Sequence, residues 1–110
     1  NTSKAITEKG YFTVTSSAIT AFTAVAGDQL LVDTTQTTVT ITLPAAPAVG
    51  DEVVFIDARG TFASNNLTIE RNGKPINSGT NNLALATNGQ AITLVFIDST
   101  RGWAYKTNTA

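Results

Sequence analysis

The chain contains no cysteine, no histidine and no methionine in 110 residues. Without cysteine there is no disulfide framework and no thiolate nucleophile. Without cysteine and histidine, the ligands that hold most transition metals are missing, and stability is expected not to depend on zinc. Charge is also scarce: charged residues make up 14% of the chain, against about 25% in an ordinary soluble domain. The net charge is −1, the pI is about 5.1 and no basic run occurs. Nothing therefore attracts nucleic acid or an anionic membrane. No apolar stretch approaches membrane-spanning length, so membrane insertion is not expected. No signal-peptide pattern is visible, and the start at Asn1 without Met implies a trimmed N-terminus.

Against these absences, threonine is abundant, about a fifth of the chain, and Val, Ile and Leu dominate the apolar residues. Such β-branched residues suit pleated, half-buried surfaces. A turn-and-strand unit also recurs. Gly27-Asp28 opens Gln29 to Asp33. Gly50-Asp51 opens Glu52 to Asp57, closed by Arg59-Gly60. Gly89-Gln90 opens Ala91 to Asp98, closed by Arg101-Gly102. A Gly-polar turn launches an apolar run and an Asp ends it, the punctuation of a small all-β scaffold.

The clearest alternation runs from Thr37 to Leu43, with Val39, Ile41 and Leu43 on one face and Thr38, Thr40 and Thr42 on the other. Val53 to Asp57 and Ala91 to Asp98 are apolar on both faces, as in central strands covered on both sides. Pro44 and Pro47 forbid a ladder in the connector that follows Leu43. Asn72-Gly73 is a strong turn signal, and Lys74 to Asn82 reads as the most exposed loop. These signals predict an all-β fold of about eight strands, an antiparallel β-sandwich or small jelly-roll-like barrel. The expected organisation is a flexible or docking arm over 1–9, one β domain over 10–106 and a polar tail over 107–110. Val39, Ile41, Leu43, Phe55, Ile69, Leu94 and Phe96 are the expected core.

Residue chemistry points away from a reaction centre. Ser or Thr nucleophiles need a base, and Lys4, Lys9, Lys74 and Lys106 all fall in arms, loops or chain ends. The acids mostly occupy turn positions, where Asp binds nearby backbone N–H groups. The expectation is no enzyme activity and no cofactor. Turn Asp and Asn oxygens would suit calcium, although no EF-hand or nonapeptide pattern is present. Asn1-Thr2-Ser3 and Asn66-Leu67-Thr68 match the glycosylation sequon. Trp103 and Tyr105, two apart on the last strand, could stack on a sugar or pack in a core. Arg59 and Arg101 occupy matching places in two repeats, either capping turns or touching a receptor. Sparse charge and two-faced strands imply a subunit interface, with the Thr face of Thr37–Leu43 as one contact. Tyr11, Phe22, Phe62 and Trp103 are its candidate anchors, since aromatics are enriched there.

The order Thr42-Leu43-Pro44, Gly50-Asp51, Phe55-Ile56-Asp57, Asn65-Asn66-Leu67-Thr68-Ile69, Arg71-Asn72-Gly73 and Asp98 to Trp103 covers roughly residues 22–106. It resembles β-rich surface modules of tailed-bacteriophage virions, notably phages of cyanobacteria and marine bacteria. The resemblance implies a structural module of a tail fibre or spike, or a capsid decoration protein. It further implies residence on the virion surface, homotrimers, contact with other virion proteins and, for a fibre, a bacterial surface glycan. No catalytic residues carry over. A carbohydrate-binding module of a secreted enzyme is the alternative from another class.

Overall fold

A computed structural model describes residues 7–9, 12–14 and 19–109, with side chains from 19 to 106. The described residues form ten strands and no helix. They are β1 (Thr7–Lys9), β2 (Phe12–Val14), β3 (Ala21–Thr23), β4 (Gln29–Val32), β5 (Val39–Thr42), β6 (Glu52–Asp57), β7 (Leu67–Glu70), β8 (Leu83–Leu85), β9 (Ala91–Asp98) and β10 (Gly102–Thr109). Part of the expected arm is thus a strand, and the expected tail continues β10. Residues 1–6 and 110 lie outside the described residues.

The recurrent turn is built the same way three times. In Val25 to Asp28, the Asp28 N–H donates to the Val25 carbonyl at 3.1 Å, and Asp28 Oδ2 accepts from the Val25 N–H at 2.9 Å. Ala48 to Asp51 repeats both bonds, at 3.0 and 2.8 Å. Thr87 to Gln90 keeps the backbone bond at 3.1 Å, with Gln90 Oε1 in place of the carboxylate at 3.4 Å. The glycine has φ of +89°, +89° and +77°, a left-handed conformation that a side chain resists.

The strands fall into two sheets, in the order β1-β2-β4-β6-β9-β10 and β3-β5-β7-β8. The expectation of an antiparallel fold needs correction. Pairs β2–β4, β4–β6, β3–β5 and β5–β7 are parallel. Pairs β1–β2, β6–β9, β9–β10 and β7–β8 are antiparallel. The physical reason lies in the connections. From β2 to β6 each strand is followed by one in the other sheet, so each return adds a parallel neighbour. The strand in the opposite sheet serves as the crossover that parallel pairing requires. The Gly-Asp turns are therefore steps between sheets rather than hairpins. Asn72-Gly73 likewise opens an excursion over residues 71–82, not a tight hairpin.

Parallel register aligns like residues. Phe22, Ile41 and Ile69 stand in one row, and Val39, Leu67 and Leu85 in the next. Leu30, Phe55 and Ile92 form the matching row of the six-stranded sheet. Inward side chains of both sheets belong to one apolar cluster. All seven expected core residues are buried in it.

Phe96 is paired with Trp103 across β9 and β10. Their rings meet edge-to-face, 5.5 Å apart at 66°. Phe96→Ala is expected to destabilise by about 3 kcal/mol, the low end for removing a core phenylalanine, because the site borders a strand end. An unmoved thermal midpoint would show that Phe96 is not core.

Candidate functional site

The ends of β4 and β6 and the start of β9 lie at one end of the six-stranded sheet, since Val32 pairs with Asp57 and Ile56 with Ala91. Here the strand-ending aspartates become the organising groups. Asp57 is buried. Its Oδ1 accepts from the backbone N–H of Arg59, Gly60 and Thr61 at 3.3, 2.9 and 3.1 Å. Its Oδ2 accepts from Phe62 at 3.1 Å and from Gly89 at 2.9 Å. One carboxylate thus joins the loop after β6 to the turn before β9.

Asp33, also buried, accepts from the N–H and hydroxyl of Thr35 at 2.9 and 2.6 Å and from Arg59 Nε at 3.3 Å. Around these carboxylates, Thr34 and Thr61 hydroxyls meet at 2.6 Å, and Asn65 Nδ2 donates to the Thr34 carbonyl at 2.8 Å. Asn88 Oδ1 accepts from the Ala63 N–H at 2.9 Å. Asn66 Nδ2 donates to the Phe62 carbonyl at 2.7 Å, so the sequon amide is engaged within the fold.

Burial pushes both aspartates toward the neutral form, but hydrogen bonding outweighs it. Thr35 and the Arg59 guanidinium hold Asp33 below its ordinary pKa, and the N–H groups of Gly89, Phe62, Thr61 and Arg59 do the same for Asp57. These are ionised acceptors fixed in place. No ligand-sized pocket and no metal-binding cluster of acids occurs among the described residues.

The residues singled out as contacts separate into three groups. Phe22, Phe62 and Trp103 are core residues, at 3%, 0% and 0% exposure, and not surface anchors. Tyr11 lies outside the described residues. Arg59 and Tyr105 are exposed, Arg59 against Asp33. Arg101 is exposed too, but at the other end of the sheet, because β6 and β9 run antiparallel. The two arginines do not form one site.

Trp103 and Tyr105 are also separated in environment. Trp103 sits opposite the buried Phe96, whereas Tyr105, opposite Leu94, lies on the outermost strand and stays 40% exposed. The Trp103 indole N–H has no hydrogen-bond partner among the described residues. As the single tryptophan, it should emit at the blue end of the indole range and resist acrylamide in the folded protein. Red, freely quenched emission would place it at the surface.

No family model matches the chain, and no curated protein matches it. With no ligand-sized pocket among the described residues, the features that remain are surfaces.

The two outer faces differ. On the four-stranded sheet, Thr40 and Thr68 share one row and Thr23, Thr42 and Glu70 the next. On the six-stranded sheet, Leu31, Ile56 and Ala91 share one row and Val54 and Thr93 another. Sequence patterning marked β6 and β9 as apolar on both faces. In the structure their inner residues are buried and their outer ones remain half-exposed.

Proposed function

We propose that this chain is a non-enzymatic structural module of a phage virion, of the tail-fibre or spike adhesion type. The observation that carries the reading is what its acids do. Asp28, Asp33, Asp51, Asp57 and Asp98 accept backbone N–H groups in turns. Glu70 accepts the Asn72 N–H, and Glu52 pairs with Lys106 at 2.9 Å. Every acidic side chain between residues 19 and 106 has a scaffold partner. A mixed sandwich-like pair of sheets held by such turns suits a part whose task is to keep its shape and present surfaces.

The resemblance to phage surface modules adds the virion, the homotrimer, contacts to other virion proteins and a bacterial glycan as the fibre's target. Capsid decoration, with the chain stabilising the head, is the second reading. The carbohydrate-binding alternative needs an exposed aromatic platform or a calcium site, and the Trp103 ring is in the core.

Density-gradient purification of the particles, followed by quantitative mass spectrometry, tests the proposal. A fibre module co-purifies at low copy number in multiples of three. A decoration protein approaches the copy number of the major shell protein. Absence from washed particles would overturn both readings.

A further inference from the structure

We propose that the outer face of the six-stranded sheet is the self-association surface of this protein, and that its occupant is a neighbouring copy of this chain. The inference rests on the homo-oligomer in the reading above and assigns it a surface. Leu31, Val54, Ile56 and Val95 point outward here and are half-exposed. An open sheet face normally carries polar residues. The other sheet of the same molecule obeys that rule, with Thr23, Thr40, Thr42, Thr68 and Glu70 outward. The contrast moves the expected contact from the threonine face to this one.

Charge and size select a second copy as the occupant. At one end of the patch Glu52 pairs with Val95 in register, and its carboxylate is neutralised by Lys106 at 2.9 Å. Between residues 19 and 106 the apolar rows themselves present no free charge to a charged partner. A net charge of −1 gives copies little reason to repel one another. With strands spaced about 4.8 Å and a rise of about 3.3 Å per residue, three rows across four strands cover roughly 400 Å². That is about half of the roughly 800 Å² per partner found in a stable pair. One such contact is therefore weak. A closed ring, in which this face meets a different surface of the next copy, gives each copy two such contacts, the heterologous arrangement of a cyclic trimer.

The test is sedimentation velocity and light scattering on the full chain, over a concentration series reaching hundreds of micromolar, about where contacts of this size become populated. The wild type is expected to associate reversibly. Val54→Lys should be monomeric throughout, with a far-UV spectrum like wild type. Val54→Thr, which keeps the β-branched shape, should weaken association about tenfold. Thr40→Lys, on the opposite sheet, should associate like wild type. If Val54→Lys and Val54→Thr associate as wild type does, the surface assignment fails while the homo-oligomer stands. If Thr40→Lys alone abolishes association, the threonine face is the interface and the assignment again fails. A wild type that stays monomeric throughout overturns the surface and the homo-oligomer together, leaving the virion reading to particle composition.

Discussion

Asp57→Ala should be among the most damaging single changes in this protein. It removes the acceptor for five backbone N–H groups, two of them from Phe62 and Gly89 on separate segments. Leaving a buried donor unpaired costs about 1–3 kcal/mol. Water can reach the donors nearest the exposed Arg59 and Gly60 but not the buried Phe62. The expected loss is roughly 4 kcal/mol, a large part of the 5–15 kcal/mol that holds a domain together. Asp57→Asn keeps one acceptor but turns an NH2 group toward donors, so it should also destabilise, by less.

The same carboxylate sets a pH dependence. Its folded pKa lies below its unfolded value, as does that of Asp33. The unfolded chain therefore takes up protons first as pH falls. The stabilisation is full above the unfolded value near 3.9, and is lost as pH drops through the lower folded value. Thermal midpoints should be flat between about pH 5 and 7 and fall below about pH 4. Asp57→Ala should show a shallower acid decline, with Asp33 supplying the remainder. An acid profile unchanged by the substitution would show that Asp57 is not a structural anion.

Gly102→Ala should be comparably severe, for a steric reason. Gly102 has φ of +73°, and a Cβ there would lie 1.9 Å from the Pro75 carbonyl oxygen and 2.5 Å from its carbon. Both are backbone atoms and cannot swing aside. The Pro75 carbonyl also accepts the Trp103 N–H at 2.8 Å, and Asn77 donates to the Trp103 carbonyl at 2.7 Å. The methyl group would push the 75–79 segment off the edge of β10. A strained left-handed residue costs about 1–3 kcal/mol and overpacking about as much again. The sum, roughly 2–6 kcal/mol, should lower the thermal midpoint by about 8 °C or more. Gly27→Ala is the control: φ is +89° with nothing within 4 Å, so about 1–2 kcal/mol of strain alone is expected. Equal losses at the two glycines would rule out the Pro75 clash.

The legible part of this fold was local. Gly27-Asp28, Gly50-Asp51 and Gly89-Gln90 announce their turns because glycine's freedom and a side-chain acceptor suffice to build them. Alternation at Val39, Ile41 and Leu43 revealed a buried face because the strand period is two. Sheet membership was not legible. A Gly-Asp turn looks the same whether the next strand pairs beside the last or crosses to another sheet, so parallel stacking of Phe22 on Ile41 and Ile69 left no mark in the sequence.

The site was less legible still. Asp57 resembled any turn aspartate, since its bond to Gly89 spans 32 positions. Arg59 and Arg101 shared a sequence context and fell at opposite ends because their strands run in opposite directions. Trp103 and Tyr105 shared a face by spacing, yet only the inner position of that face is covered. Aromatic character did not separate core from surface, whereas the two-faced pattern of Val53 to Ile56 did point to an apolar outer face.

We propose that this chain is a virion surface module. Immunogold electron microscopy of intact particles, with antibody raised against the folded protein, tests that most directly. Label concentrated on tail fibres or spikes is the predicted result, with label over the shell favouring decoration instead. Unlabelled particles, with the protein recovered only from the soluble fraction of the lysate, would contradict it.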